Sequence, residues 1–135
     1  MLNFIPAKTD VEVLIVGAGP AGSMAARAFA YEGREVLLIE KSAEVGRVVL
    51  CAEGISHESL SIFLVPDKAR WIASNLNFAR LYSPSGDYLE VRRKNLGYIL
   101  ERKIFDRFLV ELALKEGAEI STSTTFLDAK REKEQ

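Results

Sequence analysis

The chain is poor in the residues that define several protein classes. It has one cysteine, Cys51, and one histidine, His57, in 135 residues. A single thiol excludes an internal disulfide framework and fits a reducing compartment. One histidine with one cysteine leaves too few soft ligands for a zinc site of the usual kinds, and no metal is expected. No apolar run reaches the ~18–20 residues of a membrane-spanning helix. The start, "MLNFIPAKTD", lacks the basic and long apolar regions of a secretory signal. Neither sign of charge dominates: the formal net charge is −1, so nothing favours a nucleic-acid partner or an anionic surface. A cytoplasmic protein is expected, with peripheral contact to a membrane left open.

What is present suits a globular α/β domain. Hydrophobic residues make up 48% and charged residues 27% of the chain, ordinary values for a globular domain. A chain of this length buries roughly two thirds of its unfolded surface. "VEVLIV", Val11 to Val16, reads as a strand buried on both faces, as in a parallel sheet. An alanine-rich helix follows from Pro20 to about Glu32, stopped by Gly33. "REVLLIE", Arg34 to Glu40, is a second buried strand, completing a right-handed βαβ unit. Between Lys41 and Asn75 the pattern is irregular, with a short helix expected around Lys68 to Ser74. A hairpin is predicted from Phe78–Tyr82, a "PSGD" turn and Tyr88–Arg92. "GYIL", Gly97 to Leu100, reads as a separate short strand. Apolar residues at helical spacing from Arg102 predict a long helix ending at Gly117. "AEIST" and "TTFLDAK" read as two further strands, and the charged end as a fraying tail.

The chemistry sits in "LIVGAGPAGSMAARAF", Leu14 to Phe29. A GxGxxG spacing alone is weak, because a strand turning sharply into a helix also favours glycine. Here a strand precedes it, a helix and a second strand follow, and Glu40 stands 18 residues after Gly22. Gly17 allows the tight turn, Gly19 lets a pyrophosphate reach the backbone, and Gly22 lets the helix lie close to the strand. The helix N-terminus offers amide donors and a partial positive charge. Glu40 accepts the hydroxyls of an adenosine ribose and repels a 2′-phosphate, which disfavours NADP. These features predict a dinucleotide site, without separating FAD from NAD.

Three segments carry a resemblance that does separate them: "VGAGPAGS", with Pro20 and Ala21 between the glycines; "IEKSAEVGRVVLCAEGIS"; and "YILERKIFDRFLVELALKEGAEI". From about Asp10 to Lys130 the chain resembles the geranylgeranyl reductase family of flavoproteins, including its archaeal lipid reductases. The resemblance implies a Rossmann-like FAD-binding βαβ core with an inserted antiparallel hairpin. It also implies FAD-dependent reduction of carbon–carbon double bonds in the isoprenoid chains of membrane lipids. The electron donor would be reduced ferredoxin or NAD(P)H. Carried over by motif, Gly17, Gly19, Ala21 and Gly22 would hold the pyrophosphate and Glu40 the ribose. Cys51, Ala52 and Gly54 would line the flavin end, and Arg102 would contact FAD near its phosphates and ribitol. Phe126 would lie at a backbone contact near the adenine.

Family members are far longer, and their second FAD motif and substrate domain have no counterpart here. The chain is therefore expected to be an N-terminal portion, with apolar surface left exposed and self-association through it. Two alternatives stay open: a flavin monooxygenase of the same superfamily, and a nucleotide-binding module with no turnover. Cys51 is either a small buried hydrophobe or a thiol beside the flavin and a candidate catalytic group. His57 is expected in an exposed loop, and Arg47 in a surface ion pair. Glu53 is either a loop cap or a charge near the flavin. Trp71 is expected to pack against the sheet. The basic run Arg92, Arg93 and Lys94 is expected to be a solvated face.

Overall fold

The computed structural model describes residues 10–47, 49–64 and 70–131. In chain order the elements are β1 (Val13–Val16), α1 (Pro20–Tyr31), β2 (Val36–Ile39), β3 (Gly54–Ser56), α2 (His57–Ser61), β4 (Ile72–Tyr82), β5 (Tyr88–Leu100), α3 (Arg102–Lys115) and β6 (Glu119–Ser121). They fall into two compact units, one of residues 1–47 and 106–135, the other of residues 48–105.

The first unit is a parallel sheet of order β1-β2-β6. Val13 pairs with Val36 and Val16 with Ile39, while Leu37 pairs with Glu119 and Ile39 with Ser121. Read from the other edge, this is the 3-2-1 order of a mononucleotide-binding half. β2, in the middle, is buried along its whole length. Small residues on α1, Ala26 and Ala30, pack with Val36, Leu38, Val110, Ala113 and Ala118 to form the core. Alanine at these positions lets the helix approach the sheet while retaining high helix propensity.

Both long helices end as their sequences predict. Gly33 has φ 78° and donates to the Ala30 carbonyl, and the Arg34 amide donates to that of Phe29. At the end of α3, Gly117 donates to Leu114 and Ala118 to Ala113. These bonds satisfy carbonyls that the last helical turn would otherwise leave open.

The second unit is an antiparallel sheet of order β3-β5-β4. Its hairpin closes through Ser83 and Asp87, with the Ser83 amide on the Asp87 carbonyl at 2.8 Å. Trp71 is buried, as expected, with its ring 5.1 Å from that of Phe105 on α3. Ser56 caps α2, its hydroxyl accepting the Ser59 amide at 3.0 Å. Ser56→Ala should cost about 1 kcal/mol. A melting curve monitored at Trp71 in this unit would show it as a midpoint lower by about 4–8 °C.

Several expectations need correction. Residues 68 and 69 of the expected helix lie outside the described residues. From Arg70 the chain turns and enters β4, where Ile72 pairs with Leu100 and Ser74 with Ile99. Sheet pairing overrides a weak local propensity there. "GYIL" is the end of one long strand, β5, which passes through Asn95 at φ 56° with its amide on the Asn77 side chain. "TTFLDAK" forms no strand: Ser123, at φ 55°, turns the chain after β6, and the Thr124 amide bonds back to Glu40. β1 is not buried on both faces, since Leu14 and Val16 remain 47% and 54% exposed. His57 is not a loop residue; it opens α2, half-buried, with Nδ1 2.7 Å from the Tyr98 hydroxyl. On the basic run, Arg92 pairs with Glu90 and Arg93 with Glu58, as a solvated face would. Leu81 and Leu89, 60% and 63% exposed, add to the expected exposed apolar surface.

Candidate dinucleotide site

The site is built at the carboxyl ends of the first unit's strands, where open parallel sheets bind ligands. β1 ends at Val16, and the chain turns at once through Gly17, whose φ of 97° is in the left-handed region. The Gly17 amide still donates to the Ile39 carbonyl at 2.8 Å, so the turn begins while β1 is paired to β2. α1 then starts at Pro20, with Gly19 as its N-cap and no side chain capping it. Pro20 has no amide hydrogen, and the Ser23 amide is taken by the Gly19 carbonyl at 2.9 Å. The amides of Ala21 and Gly22, in the first helical turn, have no partner within the helix. With that of Gly19 they form a compact set of donors at the positive end of the helix dipole.

Space around this set suits a phosphate. A Cβ built on Gly19 would meet nothing within 4 Å, so the backbone there is open. A Cβ on Gly22 would lie 1.9 Å from the Gly17 carbonyl oxygen. Only glycine lets α1 approach β1 this closely.

Glu40 follows directly on β2 and is half-buried. One carboxylate oxygen accepts the Ala18 amide at 3.0 Å, in the glycine turn, and the other accepts the Ser42 amide at 2.8 Å. Partial burial pushes its pKa up, but the Ser42 and Ala18 amides, the Ser42 side chain and the charge of Lys41 together hold it below its ordinary value. Glu40 is therefore an anion at neutral pH, aimed at the loop. A carboxylate has about four lone-pair directions, so two amides leave capacity for sugar hydroxyls.

Gly17, Gly19, Ala21, Gly22 and Glu40 are thus gathered in one place. Phe126 belongs to the same unit, beyond β6 and 42% exposed. Cys51, Ala52, Gly54 and Arg102 belong to the second unit. Cys51, Ala52 and Gly54 are exposed. Cys51 is thus not a buried hydrophobe; its Sγ accepts the Glu53 amide at 3.3 Å. Glu53 has φ 63°, and its carbonyl accepts the Leu100 amide at 2.9 Å, which ties the Cys51 loop to the end of β5, two residues before Arg102. Arg102 is half-buried at the first position of α3.

Sequence reasoning missed Ala18, Ser23 and Ser42. Ser23 is fully buried and donates its hydroxyl to the Ala18 carbonyl at 3.3 Å, so Ala18 is held through both its amide and its carbonyl. Ser42 left no sequence signal, because the recurrent turns in which a side chain bonds the amide two residues on are made by Asp, Asn, Ser and Thr rather than by Glu. Among the described residues no three His, Cys, Asp or Glu side chains are grouped to hold a metal ion. No described helix is long and apolar enough to cross a membrane.

Comparison with known proteins agrees with this geometry. Residues 10–65 match the FAD binding domain family, which identifies the dinucleotide as FAD. The digeranylgeranylglycerophospholipid reductase of Methanosarcina acetivorans is 48% identical over 121 residues, covering 87% of this chain and 30% of that protein. The reductase of the same name from Methanocella arvoryzae is 46% identical over 121 residues, covering 87% and 31%. Among solved structures, a geranylgeranyl bacteriochlorophyll reductase-like protein of Thermoplasma acidophilum superposes with a TM-score of 0.76 at 38% identity, covering 84% of this chain and 30% of that one. A halogenase, PltM, superposes with a TM-score of 0.72 at 18% identity, which shows the shared fold alone. The chain spans about 30% of the length of the curated relatives it matches. Over that span the chain is similar to the N-terminal part of the digeranylgeranylglycerophospholipid reductases.

Proposed function

We propose that this chain supplies the FAD-holding part of a reductase that saturates carbon–carbon double bonds in the isoprenoid chains of membrane lipids. The observation that carries this reading is the Glu40 carboxylate, bonded to the Ala18 amide of the glycine turn beside the open amides of α1. That arrangement supports reading Glu40 as the ribose acceptor and the amides of α1 as the diphosphate cradle.

Bound and reduced, FAD supplies hydride chemistry at an alkene carbon. The chain's own residues bind and orient. The amides of Gly19, Ala21 and Gly22 take the diphosphate, and Glu40 takes the ribose hydroxyls. Phe126 offers its main chain on the adenine side. Cys51, Ala52 and Gly54 serve the flavin end, and the Arg102 guanidinium serves the phosphate and ribitol region. The exposed Cys51 is this chain's candidate group for completing addition across the double bond. The electron donor, reduced ferredoxin or NAD(P)H, reaches the flavin from outside this chain, and the lipid substrate implies peripheral contact with a membrane.

Two measurements separate the parts of this reading. The purified chain, incubated with FAD and desalted, is expected to keep a visible flavin absorption band. A folded, colourless protein that takes up no FAD would overturn the cofactor assignment. With flavin bound, incubation with a digeranylgeranyl lipid and dithionite, read by mass spectrometry, tests turnover by this chain alone, which a gain of two hydrogens per double bond would show. Retained flavin without that gain would count against reduction by this chain alone.

A further inference from the structure

Glu40 is held from two sides, and the second side is a segment with no assigned role. The Glu40 amide donates to the Ser121 carbonyl at 2.9 Å, and the Glu40 carbonyl accepts the Thr124 amide at 2.9 Å. One step along, the Ser123 amide donates to the Ser42 carbonyl at 3.0 Å, and Ser42 is the residue whose amide holds the Glu40 carboxylate. The turn that makes these bonds is itself closed by side chains. The hydroxyls of Ser121 and Thr124 are 2.8 Å apart, and that of Thr124 donates to the Thr122 carbonyl at 3.1 Å. Ser123, at its centre, sits at φ 55°, a conformation that non-glycine residues keep only where the surroundings hold it. A continuous path of hydrogen bonds therefore runs from the end of β6, through Ser42 and the Glu40 carboxylate, to Ala18 in the glycine turn.

We propose that the Ser121–Thr124 turn is a positioning element of the nucleotide site, with Thr124 its key residue, setting the Glu40 carboxylate for the ribose without touching the ligand. This rests on the reading of Glu40 as the ribose acceptor. It assigns the third strand's end a role in affinity that its polar sequence does not reveal.

A double-mutant cycle tests it, with ADP as the probe because it carries the ribose and diphosphate without the flavin. Thr124→Val removes the hydroxyl and keeps the amide, the size and the branching. It should weaken ADP binding by about 5-fold in the parent chain and by less than about 2-fold in the Glu40→Gln background, since coupled neighbours are non-additive. Thr124→Ser should restore affinity. Thermal melting of each variant checks that the fold is kept. An equal loss in both backgrounds, or no loss in the parent, would overturn the proposal. If Glu40→Gln alone leaves ADP binding unchanged, the ribose reading fails, a result distinct from failure of the clasp.

Discussion

Replacing Gly22 with alanine is expected to abolish FAD binding and to lower the melting temperature of the first unit by on the order of 10 °C or more. The added Cβ would stand 1.9 Å from the Gly17 carbonyl oxygen. That oxygen is backbone, in a turn whose amide is already bonded to Ile39, so it cannot swing aside as a flexible side chain would. Overpacking commonly costs about 1–3 kcal/mol, and more when backbone is the obstacle. α1 would have to lift off β1, carrying the Ala21 and Gly22 amides away from the diphosphate. Gly19→Ala is the matched comparison. Its φ is −74° and its Cβ meets nothing within 4 Å, so the fold should melt unchanged. The methyl group would nonetheless occupy the space a phosphate needs, and affinity should fall by about 10-fold or more. Isothermal titration with FAD and thermal melting of both variants check the pair. A Gly22→Ala protein that melts and binds like the parent would mean that the helix does not lie this close to the strand.

Glu40→Gln should weaken FAD binding by about 30-fold or more, with most of the loss also seen for ADP. Hydrogen bonds to a charged group contribute about 1.5–3 kcal/mol each, and the substitution removes the charge toward the Ala18 and Ser42 amides as well as toward the ribose. The amide side chain also brings a donor where the site presents donors, so one backbone amide loses its acceptor. Acidification should reproduce part of the effect in the parent chain. The folded-state pKa of Glu40 lies below its unfolded value, despite the opposing push of burial, because Ser42 and Ala18 donate to the carboxylate. The stability it contributes is therefore fully present above about pH 4.3, the unfolded value. That stability is lost as pH falls through the lower folded value. Glu40→Gln should flatten this acid limb in a pH series of melting temperatures, and an unchanged limb would exclude Glu40 as its source.

Much of the site was legible in the sequence because its parts are local. The glycines, the helix start and the acid closing β2 lie within one βαβ unit, and each answers a short-range demand: a tight turn, a close approach, an open amide, an acid at the strand's end. Both long helices were legible for the same reason, each with an apolar stripe and a glycine stop. The run "VEVLIV" misled in an instructive way. It has the composition of a strand covered on both faces, yet β1 is an edge of this three-stranded sheet and keeps Leu14 and Val16 exposed. Composition records what a strand is suited to, and the strand order records what covers it.

Local pattern settled the type of fold, the glycine turn and its acid, because backbone turns and helix ends are governed by neighbours a few residues apart. Tertiary structure alone decided that the Ala18 amide holds Glu40, that Ser123 turns the chain so that Thr124 clasps β2, and that residues 72–74 join a sheet rather than a helix. Those outcomes depend on pairing between segments from about twenty to eighty residues apart, and long-range pairing is set by packing that no local window contains.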